Sequence, residues 1–210
     1  KQEEQSPRYH AREVALKLGE LWEAIVVLGS ATPAPASAQD SDDESQFRFR
    51  FVGPKVGNRI ASIAGARGDP SVYYAGAASG GVWKSTDGGN HWTPVFDKQT
   101  AAAIGALAVA PSEPSTVWAG TGEAWVIRDS DVMGNGIYKS TDAGKTWTHM
   151  GLPESGRIGR IIVHPSNPDI VFACVLGRVT GPQQERGVYR TTDGGQHWER
   201  TLFAGENVGC

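Results

Sequence analysis

Short runs that alternate apolar and polar residues, each bounded by glycine or proline, recur along most of this chain. The runs that open with glycine begin at Gly81, Gly136 and Gly187. Turns with proline, each followed by a β-branched or aromatic run, lie upstream of them within 64–76, 108–120 and 162–174. Period-two alternation between turn residues is typical of β-strands. Together with one run before each turn and one further downstream of each glycine-opened run, such as 92–96, the pattern predicts units of four short antiparallel strands.

An eight-residue motif follows each glycine-opened run and sets the repeat length. It reads STDGGNHW at 85–92, STDAGKTW at 140–147 and TTDGGQHW at 191–198. Its aspartates are 55 and 51 residues apart, slightly above the blade period of about 40 to 50 residues in propellers. A hairpin repeated in this way predicts an all-β, partial β-propeller of about three four-stranded blades rather than a β-sandwich. We expect the blades to span about 57–101, 102–156 and 157–206.

The chemistry of this motif is that of a turn. Aspartate accepts from nearby backbone N–H groups, and glycine supplies the positive φ that a hairpin needs. We therefore predict structural roles, with each tryptophan turning back onto its own blade, for Ser85, Asp87, Gly89, Trp92, Ser140, Asp142, Gly144, Trp147, Thr191, Asp193, Gly195 and Trp198. Calcium would need six or more oxygens in one place, which three separated carboxylates do not provide.

A propeller of this topology places the repeated motif on one face and its ligand contacts on the other. Two insertions, at 121–131 and 176–186, are predicted to lie on the ligand face, where loops on a rigid scaffold carry binding residues. In the first insertion, Trp125 is suited to stack on an apolar surface, while Glu123, Arg128 and Asp129 are suited to bind polar groups. The alternative interpretation is a solvated loop with its tryptophan lying on its own blade.

Two arginines open equivalent inner strands. Arg59 and Arg157 either point into the central channel as ligand contacts, or cap strand ends and pair with loop carboxylates. Both interpretations fit the sequence.

Composition and charge narrow the function. The chain has 210 residues, a net charge of −3 and a pI near 6.0, so it offers no basic field for nucleic acid. No run approaches the ~18 apolar residues of a membrane span. Cys174 and Cys210 are too few for a disulfide framework or a zinc site, and they leave the redox compartment open. No histidine shares a metal-ligand spacing with another, so we predict neither metal nor cofactor.

The motif resembles the Asp-box, or BNR repeat, of sialidases, xyloglucan-type glycoside hydrolases, the photosystem II assembly propeller and sortilin-type receptors. The longer segments GAASGGVWKSTDGGNHW and ERGVYRTTDGGQHW make 47–210 most similar to exported bacterial sortilin-like or glycosyl-hydrolase-like proteins. This resemblance implies a secreted or periplasmic binding propeller completed by further blades. The sialidase signature is missing at 47–54, and no arginine triad can be identified.

The first 46 residues do not belong to the repeat. Residues 11–22 have helical apolar spacing, and 25–28 reads as a buried strand. Residues 1–33 resemble a fragment of the primosomal replication-restart helicase, without its nucleotide-binding loop. An alternative is an export leader, since Ala36-Ser37-Ala38 has the pattern of a cleavage site. We predict a helix-strand segment or leader over 1–31 and a flexible linker over 32–46. Phe47, Phe49 and Phe51 alternate with arginines, as in an edge strand.

These observations favour an exported, non-catalytic scaffold that binds a protein or a glycan. The alternative is a glycoside hydrolase, which needs two carboxyl groups across one sugar bond. Glu123, Asp129 or Asp131 could supply one of them and a further blade the other, so we expect the segment alone to be inactive. Nucleic acid and a membrane span are not expected.

Overall fold

The computed structural model describes residues 53–54, 59–124 and 133–210. The predicted helix-strand segment, the linker and the phenylalanine-rich edge strand at 47–51 lie outside these residues.

Three four-stranded antiparallel sheets follow one another along the described chain. The first blade comprises β1 Ile60–Gly65, β2 Tyr73–Ala77, β3 Val82–Ser85 and β4 Thr93–Pro94. The second comprises β5 Ile104–Ala110, β6 Glu113–Thr121, β7 Ile137–Ser140 and β8 Thr148–His149. The third comprises β9 Ile158–His164, β10 Asn167–Val175, β11 Gly187–Thr191 and β12 Glu199–Leu202. Each strand pairs with the next in sequence, and the described residues contain no helix. The all-β, partial-propeller prediction is therefore confirmed.

The fourth strands are shorter than the sequence suggested. We expected a strand over 92–96 in the first blade, but β4 covers only Thr93–Pro94. Trp92 still belongs to the preceding turn, since its Nε1 donates to the Gly89 carbonyl at 3.1 Å. Phe96 turns inward and is buried.

The hydrophobic core lies between blades. One cluster joins the first and second blades and includes Tyr74, Val82, Phe96, Ile104, Leu107, Val117 and Tyr138. The other joins the second and third blades and includes Trp118, Ile137, Ile158, Ile161, Val171 and Val175. We call each of these contact regions a seam. The second blade therefore buries one surface against the first blade and the other against the third.

The tryptophans of the second and third motifs pack across the seams, which corrects for these two our prediction that each returns to its own blade. Trp147 donates from Nε1 to the Val95 carbonyl of the first blade at 2.8 Å and packs edge-on against Phe96. Trp198 makes the equivalent bond to the Met150 carbonyl of the second blade at 2.7 Å.

A second set of contacts fixes each motif to the preceding blade. Tyr74 and Lys84 of the first blade both donate to the carbonyl of Ala143, at 3.1 and 2.8 Å. Burial raises the pKa of Tyr74 to about 12, which keeps its hydroxyl protonated as the donor. In the next seam Lys139 donates to the Gly194 carbonyl at 3.4 Å. The repeated turn thus joins neighbouring blades as well as two strands of one blade.

The two ends of the blades form different faces. The motif turns and the β1–β2, β5–β6 and β9–β10 turns share one end, which we call the box face. They are joined by the bonds Gly88 N to Ser71 O, Ala143 N to Ser115 O and Gly194 N to Asp169 O, at 2.8–3.0 Å. The blade-to-blade connections and the strand ends that flank the β2–β3, β6–β7 and β10–β11 connections share the other end, which we call the loop face. Bonds there include Gly80 N to Ala102 O, Gly134 N to Gly156 O and Gln183 N to Glu206 O.

A disulfide joins Cys174 in β10 to Cys210, with their Cα atoms 5.7 Å apart. We expected no disulfide framework from two cysteines, and this pairing corrects that expectation. The two cysteines are 36 positions apart in the sequence, with β11, β12 and their loops between them, and only the folded meander brings the two positions together. Disulfides persist mainly in oxidising compartments.

Candidate functional site

Each Asp-box is a closed hydrogen-bonded turn. In the second box, Ser140 Oγ is buried, accepts from the Gly144 amide at 2.8 Å and donates to Asp142 Oδ1 at 2.8 Å. Asp142 Oδ1 also accepts from the Thr146 amide at 2.8 Å, and its Oδ2 accepts from the Thr146 hydroxyl at 2.6 Å. Both carboxylate oxygens of Asp142 therefore accept hydrogen bonds from within the turn, and the role of this aspartate is structural.

The first and third boxes repeat this geometry with substitutions at two positions. Histidine replaces Thr146, and its Nδ1 lies 2.6 Å from the aspartate Oδ2 in both His91–Asp87 and His197–Asp193. Thr191 replaces the serine and accepts from the Gly195 amide at 2.9 Å. Thus the frame tolerates two alternatives at each of two positions while keeping its bonds.

These bonds hold the box carboxylates ionised. The Thr146 hydroxyl and amide lower the pKa of Asp142 to about 2, and the His91 amide and ring lower that of Asp87 to about 2, from 3.8. The His197 amide and ring lower the pKa of Asp193 as well. Since the folded pKa values are depressed, the stabilisation is full above about pH 4 and is lost as the pH falls toward 2.

We therefore expect a steep loss of thermal stability between about pH 4 and pH 2. The Asp142→Asn variant should show a shallower fall in this window, because it removes one of the titrating groups. Melting temperatures measured by circular dichroism across the range would test this. Asp97→Asn, outside the boxes, controls for the general loss of one negative charge. Equal slopes for both variants would contradict the assignment.

The Ser140 hydroxyl is expected to make a large contribution to stability. Ser140→Ala leaves the buried Gly144 amide without its acceptor, so we expect a loss of about 1–3 kcal/mol in the free energy of unfolding. Ser140→Thr is the matched control, since Thr191 makes the same bonds in the third box. Urea unfolding would measure both. Equal stability of the two variants would show that the hydroxyl is dispensable.

On the loop face, Arg59 and Glu123 come together as an ion pair. Arg59 precedes β1 in the first blade and Glu123 follows β6 in the second, so the pair bridges the seam. The Glu123 side chain is 10% exposed and that of Arg59 is 36% exposed. One Glu123 oxygen accepts from Arg59 Nη2. This contact corresponds to the interpretation in which the arginine pairs with a loop carboxylate.

Arg157, the other arginine that opens an inner strand, is buried. Its Nε donates to the Gly177 carbonyl at 2.8 Å, which fixes the start of the third-blade insertion. A Cβ placed on Gly122 would lie 2.7 Å from the Arg157 Cα, so the second and third blades approach closely here. Trp125, Arg128 and Asp129, the other predicted ligand contacts, lie outside the described residues.

A cleft of about 230 Å³ opens on the loop face where three segments meet. Its lining comes from the segment just before β7, the connection to the third blade and the third-blade insertion: Met133, Gly134, Pro153, Glu154, Gly156, Arg178 and Thr180. Arg178 Nη2 lies 3.5 Å from Glu154 Oε2, and both side chains are largely exposed. The cleft thus combines an apolar wall with one charged pair.

Arg186 shapes the third-blade insertion, and sequence reasoning gave it no individual role. It is buried, and its guanidinium donates to the carbonyls of Glu206, Arg178 and Gly181 at 2.8, 2.9 and 3.2 Å. The insertion was identified from the sequence, but no local pattern shows that one arginine would bind three carbonyls. It fixes the segment that presents Arg178 to the cleft.

Within 59–124 and 133–210, no three His, Cys, Asp or Glu side chains are grouped in a way that could hold a metal ion. Nor does any helix of the described part have the length and apolarity to cross a bilayer.

Three meandering blades joined by Asp-box turns define a β-propeller of the Asp-box class. The family model for sortilin and Vps10 proteins, described as sortilin, neurotensin receptor 3, matches residues 80–208. The chain belongs to this Sortilin-Vps10 family.

Other relatives share the fold and are much longer. A probable oligoxyloglucan-reducing end-specific xyloglucanase of Neosartorya fischeri is 32% identical over 144 residues, which cover 66% of this chain and 16% of that protein. An ancestral GH74 enzyme superimposes with a TM-score of 0.55 at 20% identity, covering 76% of this chain and 20% of that one. YCF48 bound to D1 peptide gives 0.51 at 14% identity, covering 70% and 41%. This chain therefore spans about a sixth of the curated relative's length.

Proposed function

We propose that this chain is part of a non-catalytic propeller that binds a polypeptide in the cleft on its loop face. The observation that carries the proposal is the lining of this cleft. Met133 and Pro153 offer apolar surface, while Arg178 and Glu154 offer one charge of each sign. Methionine adapts its shape to varied apolar partners, and an extended peptide presents both apolar side chains and polar groups.

The walls of the cleft are held in place before any ligand arrives. The Gly134 amide donates to the Gly156 carbonyl at 2.7 Å, and Arg157 and Arg186 fix the third-blade insertion from beneath. Preorganised walls lower the ordering cost of binding. The Arg59–Glu123 pair serves the same end, because it ties the second-blade insertion to the first blade.

The described part of the cleft is poorly suited to sugar hydrolysis. No aromatic side chain is among its described lining residues, so a sugar ring finds no stacking surface there. Glu154 is the one carboxylate of that lining and already faces Arg178. Glycosidases need two carboxyl groups about 5 to 9.5 Å apart. A fold neighbour, YCF48, has a structure with bound D1 peptide, and this supports a peptide ligand for the present chain.

The proposal is tested by panning a displayed random-peptide library on the immobilised chain and measuring the affinity of a selected synthetic peptide. Arg178→Glu should weaken that affinity about tenfold or more, because it places like charges together. Arg67→Glu makes the same charge change on the box face, where Arg67 is exposed, and should leave the affinity unchanged. Arg178→Glu combined with Glu154→Lys should recover part of the loss. An affinity insensitive to Arg178→Glu would reject the cleft as the site.

A glycoside hydrolase is the second candidate, and the 32% identity to a xyloglucanase is the observation that favours it. In that case Glu123, Trp125, Arg128 and Asp129 would contribute to a sugar site completed by other blades. Xyloglucan oligosaccharides and an assay for new reducing ends distinguish the two. Hydrolysis by the full-length protein that disappears in Glu123→Gln or Asp129→Asn would establish the enzyme and reject the binding role.

A further inference from the structure

The two described seams are closed by the same contact, an isoleucine seated on a glycine. Gly76 in β2 faces Ile104 of the next blade, and a Cβ added to Gly76 would lie 2.5 Å from Ile104 Cγ2. Gly120 in β6 faces Ile158 in the same way, at 2.6 Å. Nothing larger than hydrogen fits at these two glycines. Their size allows the inner strand of each blade to lie directly on the blade before it.

The third blade has a cysteine where the first two have this glycine. Gly76 pairs with Val82 in its sheet, and Gly120 pairs with Ile137. Cys174 pairs with Val188, so it holds the same register in β10. Gly76 and Gly120 each face the following blade. In the same register, Cys174 lies on the surface of the third blade that a following blade would cover.

The disulfide partner of Cys174 has the spacing of the seated isoleucine. Ile104 follows the tryptophan of its preceding box by 12 residues and Ile158 by 11, while Cys210 follows Trp198 by 12. Cys210 also lies against the third blade, with its Sγ 3.5 Å from the Gly187 carbonyl. Each cysteine therefore occupies one half of the isoleucine-glycine contact.

We infer that the Cys174–Cys210 disulfide is a bond between blades, which joins the third blade to the first strand of a further Asp-box blade beginning at Cys210. It replaces by a covalent bond the contact that closes the two preceding seams. Forming it removes two protons and two electrons from the thiols. A disulfide oxidant such as oxidised glutathione accepts the electrons and leaves as two thiols.

The rest of this surface fits the same occupant. In β10, Phe172 holds the position that Tyr74 and Trp118 hold in their blades. The glycine at the fifth position of the next box packs on each of those two rings. A Cβ on Gly144 would lie 3.3 Å from the Tyr74 ring, and one on Gly195 would lie 2.9 Å from Trp118. Tyr74 and Trp118 are fully buried, whereas Phe172 is 38% exposed. An aromatic ring is thus presented where a box is expected.

A cation accompanies the ring in each blade. Lys84 donates to the Ala143 carbonyl and Lys139 to the Gly194 carbonyl of the following box. Arg190 pairs with Phe172 as these lysines pair with Tyr74 and Trp118. It is therefore placed to donate to a box carbonyl of the further blade.

The occupant is assigned to the same polypeptide rather than to a second copy of this chain. Ile60 is the equivalent of Ile104 and Ile158 in the first blade, and a second copy would have to insert it where Cys210 already lies. The relatives that share the fold are several times longer than this chain, so a further blade is consistent with their length.

The equivalence of the positions is tested by moving the disulfide. In a Cys174→Ser, Cys210→Ser background, Gly76→Cys with Ile104→Cys should form an intramolecular disulfide in a glutathione redox buffer, seen by mass spectrometry of non-reduced peptides. Gly76→Cys with Ile158→Cys spans two blades and is the mismatched control, which should stay reduced. A matched pair that stays reduced in a folded protein, shown by circular dichroism, would overturn the inference.

A second variant tests the replacement in the opposite direction. In the full-length protein, Cys174→Gly with Cys210→Ile restores the contact of the other seams. It should melt several degrees above Cys174→Ser with Cys210→Ser, and reductant should not change its melting temperature, whereas it should lower that of the wild type. Equal melting of the two variants would overturn the inference. So would an oxidised chain that associates head to tail through Phe172, detected by light scattering and abolished by Phe172→Glu.

Discussion

Replacing Trp118 with alanine is expected to lower the free energy of unfolding by about 3–5 kcal/mol, the cost of emptying a large buried aromatic site. Trp118 is fully buried in β6 and lies at the centre of the second seam. Trp198 packs edge-on against it with ring centroids 6.2 Å apart, and Lys139 Nζ lies 5.1 Å from its ring centroid. The alanine variant loses all of these contacts and leaves a cavity between two blades.

The control for this variant comes from the repeat itself. Tyr74 occupies the equivalent position in the first blade and donates its hydroxyl to the following box. Trp118→Tyr should therefore keep more than half of the stability lost in Trp118→Ala. Urea unfolding followed by far-ultraviolet circular dichroism measures both variants. A loss in Trp118→Ala below about 1 kcal/mol, the usual cost of an ordinary substitution, would mean that the seam does not hold the blades together.

Gly105→Ala is expected to cost about 3 kcal/mol, at the upper end for overpacking. Gly105 is the second residue of β5, and a Cβ there would collide with the carbonyl oxygens of Gly122 and Ile158. Both atoms are backbone, and one belongs to the next blade. Relief requires a shift of the whole blade rather than a change of side-chain rotamer.

Gly65→Ala is the matched control for this substitution. Gly65 also lies in an inner strand, but the nearest atom to its added Cβ would be a Tyr73 ring carbon at 3.4 Å, an ordinary contact. We expect Gly65→Ala to change stability by less than about 1 kcal/mol. Thermal unfolding of both variants side by side is the measurement. Equal losses would point to strand propensity, not the seam, as the cause.

The blades could be predicted from sequence because their signals are local and repeated. The glycines and aspartate of each box act within eight residues, so a single copy already specifies its turn, and three copies specify the repeat. What each box tryptophan packs against is not local. Trp147 and Trp198 contact carbonyls that are 52 and 48 residues away in the sequence. Only the packing of one blade against the next determines which carbonyl each tryptophan reaches.

The candidate site was less accessible to sequence reasoning. The third-blade insertion, which contributes to the cleft, lies on the face opposite the boxes as predicted, because meander topology fixes which connections share an end. The pairing of Glu123 with Arg59 and the cleft beside Arg178 depend on how two neighbouring blades align. The disulfide was missed for the same reason, since Cys174 and Cys210 meet only after four strands have folded.

The direction in which the boxes reach has a consequence for synthesis on the ribosome. Each box turns toward the blade made just before it, and Tyr74 and Trp118 are covered only by a box that emerges later. A nascent chain therefore always ends in one uncovered aromatic surface, which moves forward by one blade as each box appears. Any premature stop leaves such a surface exposed, and chaperones and proteases recognise exposed apolar surface of this kind.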